Sequence, residues 1–196
     1  MSRVRADDYD LKMKQIMDAA AALFAKTGYP GVKMEQIAKN CKASKSMLYH
    51  YFPTKDEILF AILKDHLDSV ISAIMSIETS GSDPQVRFLA MVQTFTQKSA
   101  QTRRRHVVAM NDVKFLPKAM LDPIQKLETK VLDLVTEYLR AVNPTLDDSL
   151  YKPYGMLLIG MMNWTDTWYK PTGAIKPQEL VERISRLFLR GFLAEK

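Results

Sequence analysis

The stretch from Gly28 to Leu59, GYPGVKMEQIAKNCKASKSMLYHYFPTKDEIL, holds two short helical patterns joined by a tight connection. Met34–Asn40 (MEQIAKN) reads as the first, Cys41-Lys42-Ala43 as the connection, and Ser44 to Tyr51 as the second, which Pro53 stops. Thr54 opens another helix with a capping-box spacing to Glu57, so two backbone donors can be satisfied reciprocally. Two helices of this size joined by a tight turn have the layout of a helix-turn-helix, whose second helix enters a DNA major groove.

The residue types on the second helix suit that use. Lys45, Ser46, Met47, Tyr49 and His50 would splay across its exposed side, while Ile37, Ala38, Leu48 and Phe52 would pack inward. A cation, a hydroxyl, an aromatic ring and an imidazole on one short helix can mix phosphate contacts with the reading of base edges. The alternative reading is a solvated basic helix on any helical protein.

Phe24, Gly28-Tyr29, Ile37-Ala38, Ser44, Leu48-Tyr49, Tyr51-Phe52 and Lys55-Asp56-Glu57-Ile58-Leu59 fall in an order and spacing that resembles the TetR family of transcriptional regulators. The motif covers about the first third of the chain. The resemblance implies an all-α fold with an N-terminal three-helix head over residues 1–53 and a larger helical bundle over 54–196. The head would bind DNA; the body would bind a ligand and dimerise, with repression relieved by a small molecule. It implies DNA contacts from Ser44, Lys45, Ser46, Met47, Tyr49 and His50, with Lys33 and Lys55 on phosphates. Two positions depart from the family pattern. Val32-Lys33 stands where Thr or Ser usually enters the helix, which removes a good N-cap but adds a cation. Lys42 replaces the usual Gly of the turn, where a left-handed backbone would cost about 1 kcal/mol.

Charge is unevenly placed. Residues 1–55 hold 10 Lys+Arg and 5 Asp+Glu, a net of +5; from totals of 28 and 22, the remainder holds 18 and 17, a net of +1. A basic head gains affinity for DNA by counterion release and loses it as salt rises. Arg3 and Arg5 precede the first helical stripe, placed to lie along DNA or to stay disordered. The N-terminal MSRVRADDYD lacks the apolar stretch of a signal peptide, and no apolar run is long enough to span a bilayer. A cytoplasmic protein with no membrane partner is therefore expected. Cys41, the single cysteine, excludes an internal disulfide and multi-cysteine metal sites, and reads as a core thiol.

Apolar positions recur at helical spacing nearly throughout, and no segment reads as a strand. The first helix carries Met13, Ile16, Met17, Ala20, Leu23 and Phe24 to a stop at Gly28. A long helix runs from Thr54 towards Gly81. Asp83-Pro84 starts the next, which uses Phe88, Met91, Val92 and Phe95. Further helices are expected near Arg103–Asn111, from about Pro123 to Ala141, over 146–169 with a kink or a start at Pro153, and over 177–194. The last two, being long and apolar, can pair with a second copy as a four-helix interface; the family resemblance implies that homodimer.

In the body, Met- and aromatic-rich positions suit a flexible apolar ligand or a plain core. With the pocket implied by the family, the candidate walls are His66, Phe88, Met91, Val92, Phe95, Met161, Met162, Trp164 and Trp168. Asn163–Gly173 (NWTDTWYKPTG) looks like the W-x3-W/F-Y-x-P-x-G segment of TetR relatives that sense acyl-CoA thioesters, and phenylacetyl-CoA is the specific expectation. Arg103-Arg104-Arg105-His106 offers a cationic spot for coenzyme A phosphates, or a solvated helix end. No cofactor is expected beyond such an effector. An enzyme is the rival class, but His50, His66 and His106 are too far apart for a local metal motif, and G-x-S-x-G, P-loop and dinucleotide fingerprints are absent. A peripheral membrane or scaffold protein using its amphipathic helices is the other rival.

Overall fold

The computed structural model describes residues 2–78, 83–170 and 172–195, with side chains from residue 8 onward. Among the described residues there is no strand. The elements are α1 (Ser2–Thr27), α2 (Met34–Asn40), α3 (Lys45–Tyr51), α4 (Lys55–Met75), α5 (Pro84–Gln101), α6 (Arg103–Asp112), α7 (Lys118–Val142), α8 (Tyr151–Trp168) and α9 (Pro177–Phe192), with single 3-10 turns at Tyr29–Gly31, Val113–Phe115 and Asp148–Leu150. Arg3, Arg5, Gly81 and Pro171 carry expectations that lie outside the described residues or side chains.

The chain divides into two compact units. One comprises the chain up to His66 with Thr102–Gln125, the other Leu67–Gln101 with the chain from Lys126. Two of the three divisions fall inside α4 and α7, and the third between α5 and α6.

In the first unit α1 packs on α2 and α6, and α2 packs on α3. The stripe on α1 is the expected one: Ile16, Met17, Ala20 and Phe24 are buried, with Met13 and Leu23 half-buried. α1 ends because Gly28 adopts φ 78°, a backbone conformation that costs a glycine little, with Pro30 just beyond. The 3-10 turn that follows is anchored by Tyr29. Its ring lies edge-on to Phe24 and stacks on Phe115, and its hydroxyl donates to Asp56. Burial, followed by the Asp56 carboxylate, pushes the Tyr29 phenol well above its usual range, so it stays a donor.

In the second unit α5 packs on α8 and α9, which also pack on each other. Phe88 stacks on Phe188 at 5.9 Å between centroids and Phe188 on Phe192 at 5.4 Å, while Tyr154 meets Phe192 edge-on at 5.0 Å. Gly155 marks a close approach of α8 to α7: a Cβ there would stand 2.8 Å from Leu132 Cδ1 and 3.1 Å from Thr136 Cγ2. The C-terminal end is tied down by Asn143, whose amide donates to the carbonyls of Phe192 (3.0 Å) and Glu195 (3.2 Å). The Tyr151 hydroxyl in turn donates to the Asn143 carbonyl at 2.7 Å.

Three boundaries differ from the sequence reading. α4 ends at Met75, short of Gly81; the Ser76 hydroxyl turns back to the Ala73 carbonyl at 2.8 Å, a local bond that competes with helix continuation. α7 begins at Lys118, so Pro123 lies within it rather than at its start. The missing N–H deprives only the carbonyl of exposed Ala119, which water can serve. α8 begins at Tyr151, which puts Pro153 in the first turn, where no intrahelical bond is lost. The segment before it is a 3-10 turn whose Asp147 side chain accepts from Ser149 N–H at 2.9 Å.

Candidate nucleic-acid interface and body interior

The α2–α3 turn satisfies both helix ends within a few residues. Lys42 adopts φ 53°. Its N–H reaches the Lys39 carbonyl at 3.3 Å, and the Ala43 N–H reaches the Ala38 carbonyl at 2.9 Å, which together form a Schellman motif. Ser44 then caps α3, its Oγ accepting from Met47 N–H at 3.1 Å. The left-handed position expected at Lys42 is therefore present with a lysine in it. Lys42→Gly is expected to raise stability by about 1 kcal/mol. Chemical denaturation of the two proteins measures this, and an unchanged or lower midpoint would count against a left-handed turn.

Lys33 precedes α2 without a side-chain cap of its own. Instead the Gln36 side chain accepts from the Lys33 N–H at 2.6 Å, supplying half of a capping box. The Lys33 side chain stays exposed.

α3 separates its faces cleanly. Leu48 is fully buried, while Lys45, Ser46, Met47, Tyr49 and His50 are exposed, as is Ser44. Ile37, Ala38 and Phe52 are buried as expected. Tyr51 stacks on Tyr9 of α1 at 4.6 Å, so the end of α3 is held against α1. The Lys45 ammonium pairs with exposed Glu35 at 3.0 Å and is held above its usual range by that carboxylate. An exposed pair of this kind contributes little to stability and can be exchanged for a phosphate. The surface thus offers donors of several kinds over one short helix.

Lys55 is placed differently from the others. Its ammonium donates to the carbonyls of Tyr29 and Val32, both at 2.9 Å, and sits 4.1 Å from the Tyr29 ring centroid. Two of its three donors are engaged in fixing the turn after α1, which leaves one for a phosphate. Cys41 is only partly buried, with Sγ 3.5 Å from the Ala38 carbonyl, so the fully inward thiol expected there is not found.

The residues expected to line a ligand site separate into three groups. Phe88, Met91, Val92, Phe95 and Met162 belong to one buried cluster in the second unit, with Met161 packed against it. His66 and Arg103–Arg105 belong to the first unit. Trp164 and Trp168 are 68% and 53% exposed and face outward from α8. Trp168 meets Tyr169 edge-on at 6.1 Å, and Tyr169 packs against the cluster that holds Phe88.

Within the cationic run, Arg103 and Arg104 are exposed, but Arg105 is buried. It pairs with Asp18 of α1 at 2.7 Å and with Asp65 of α4. Its guanidinium is occupied inside the first unit, which removes it as a contact for coenzyme A phosphates. Next to it His106 Nδ1 lies 3.2 Å from His66 Nε2, and His66 Nδ1 lies 3.2 Å from Thr102 Oγ1. His66 is thereby part of a buried polar chain linking α4 to α6 rather than a wall of the Phe88 cluster. Asp112 joins the same unit: burial pushes its carboxyl up, partly offset by the Tyr29 N–H it accepts at 3.4 Å. Tyr29 and Arg105 are anchors that were not expected from the sequence; for Tyr29 the available signal was the Gly28-Tyr29-Pro30 turn.

Comparison with known proteins bears on these surfaces. Residues 16–62 match the model for bacterial regulatory proteins, tetR family, and residues 81–192 the model for the tetracyclin repressor-like C-terminal domain. The HTH-type transcriptional regulator YuxN of Bacillus subtilis (strain 168) is 38% identical over 77 residues, 39% of this chain and 26% of that protein. The match therefore spans about a quarter of the length of that relative. A TetR-family transcriptional regulator from Bordetella parapertussis 12822 has a solved structure with TM-score 0.85 and 34% identity, covering 94% of this chain and 97% of that one. AibR, solved in complex with isovaleryl coenzyme A and operator DNA, shares the fold at TM-score 0.77 and 22% identity, over 90% and 97% of the two chains. With the exposed face of α3, the all-helical architecture and a C-terminal model that spans more than half of its length, this chain belongs to the tetR family of bacterial regulatory proteins.

Proposed function

We propose that the protein is a DNA-binding transcriptional repressor that acts as a cytoplasmic homodimer and leaves a palindromic operator when a small apolar effector binds. The observation that carries the reading is α3: five side chains able to contact phosphates or bases point outward while Leu48 anchors the helix from below. The DNA-binding domain is assigned to residues 1–53 and the effector and dimerisation domain to 54–196. No described helix is long and apolar enough to cross a membrane.

The effector proposed is an acyl-CoA thioester, with phenylacetyl-CoA as the first candidate. Two things support it: the Trp164-x3-Trp168-Tyr169 segment, and the thioester bound by AibR, whose fold is the same. The Met-rich cluster around Phe88 and Met91 is suited to an acyl chain. α4 and α7 each contribute residues to both units, so a ligand that prefers one arrangement of these helices can shift the equilibrium of the whole chain. Coupling of about 1–3 kcal/mol is typical of such systems. The test is selection of bound duplexes from a random DNA pool, followed by release with phenylacetyl-CoA, medium-chain acyl-CoA and the free acids. Absence of any selected palindrome contradicts the regulator reading; release by free acids alone contradicts the thioester.

The dimer is supported by an apolar stripe that the protomer leaves uncovered. Met156, Trp164 and Trp168 recur at steps of four or eight along α8, beside Leu157, and Leu187 of α9 is 70% exposed. Gly160 and Gly191 have open space where a Cβ would stand, which permits close approach of another helix. Trp164→Glu is expected to turn the dimer into a monomer in sedimentation velocity, with helix content unchanged. A variant that sediments like the parent would place the interface elsewhere.

A further inference from the structure

We infer that a groove in the second unit, formed by the end of α4, the first turn of α5 and the end of α7, binds an amphipathic anion whose charged oxygens lie on Arg87. The cavity has a volume of about 420 Å³ and is walled by Ile74, Ile77, Leu134 and Ala141, with Arg87 and Tyr138 as its donors. The inference names the chemistry of an effector site and so rests on the effector reading.

Three observations bear on what this groove would hold. The Nε of Arg87 is shut off from solvent and meets no acceptor among the described residues. Buried donors are almost always satisfied, so such a group marks where an acceptor belongs. Next, Arg87 is the fourth residue of an 18-residue helix. The first-turn N–H groups of Gln85 and Val86 already donate to Asp83 Oδ1 at 2.7 and 3.4 Å, so the Arg87 side chain rather than the helix end would hold the anion. Finally, burial pushes the Tyr138 phenol above its usual range, against the opposing influence of Arg87. Tyr138 therefore keeps its proton and can donate beside the guanidinium. Glu137 also borders the groove but is exposed and makes no ion pair with Arg87 among the described residues.

The walls fix the rest of the ligand. Aliphatic side chains on either side of one guanidinium favour an apolar chain carrying a carboxylate or phosphate over a polar metabolite. A free fatty acid and the phosphate-bearing thioester of the same acid share this chemistry.

Calorimetric titration of the intact protein with octanoate and with octanoyl-CoA tests the site, with methyl octanoate as the uncharged control. At least one of the two anions is expected to bind, and Arg87→Gln to weaken it by about tenfold or more, since charge-assisted bidentate bonds are among the strongest. Ala141→Trp, which fills the groove from the α7 side and keeps the guanidinium, is expected to weaken it as well. Which anion binds identifies the source of the oxygens. The proposal is overturned if neither anion binds at millimolar concentration, if methyl octanoate binds equally well, or if Arg87→Gln leaves affinity unchanged. Operator release by a thioester that is indifferent to both substitutions would remove this site while leaving the effector reading intact.

Discussion

Removing Asp18 and Asp65 together, as the double alanine variant, is expected to lower folding stability by about 3–5 kcal/mol, because it leaves the Arg105 guanidinium buried without a counter-charge. The arginine side chain is 8% exposed, against 57% for Asp18 and 46% for Asp65, so it is the desolvated member of the triad. The asymmetry gives a second expectation. Arg105→Met keeps the volume and leaves two half-exposed carboxylates that water can hydrate, so its cost should be clearly smaller than that of the double variant. Arg104→Ala, on the exposed neighbour, should change stability by no more than about 0.5 kcal/mol. Urea unfolding at one fixed protomer concentration measures all three, since any dimer makes stability concentration-dependent. If the double alanine variant unfolds at the parental midpoint, Arg105 does not hold α6 to α1 and α4.

Tyr49→Ala should weaken binding to a selected operator by about 5- to 150-fold, the equivalent of about 1–3 kcal/mol for one good base contact. The phenol side chain is exposed and lies at the centre of the α3 surface, so its removal opens no cavity. The thermal midpoint should be unchanged and the dimer retained. Leu48→Ala, one residue away and fully buried, should behave in the opposite way, with a loss of about 2–5 kcal/mol in stability before any question of DNA arises. Gel-shift titration at fixed salt, alongside thermal unfolding, separates the two. Equal operator affinity for Tyr49→Ala would take this face of α3 out of the interface. Loss of folding in that variant would mean the ring supports the head instead.

The head was legible in the sequence because its determinants are local. Ser44 caps a helix that begins one residue later, Leu48 is the one inward position of seven, and Pro53 closes the pattern. Even the left-handed residue could be placed, at Lys42, because the resembling family usually carries Gly at that turn position. The fate of Arg105 could not be read in the same way. Three consecutive arginines on a helix point about 100° apart, so one of them faces inward, but nothing local says which. Its partners lie 87 and 40 residues away in sequence. Trp164 and Trp168 were hidden for another reason. An apolar stripe at helical spacing has the same appearance whether it covers an interior or awaits a second subunit. Pro123 was read as a start because proline is commonest there, whereas tertiary burial of Ile124, Val131 and Val135 carries the helix through it.

The amide of Asn143 has a consequence for assembly. The carbonyl of Phe192, which ends α9, and that of Glu195 just beyond it are received by one side chain from the end of α7. That single clasp keeps the terminal turn from fraying, and Leu187 rides on the same helix one turn earlier. In the proposed dimer, the edge that α9 presents is steadied from below by this residue: loosen the clasp, and the docking edge blurs.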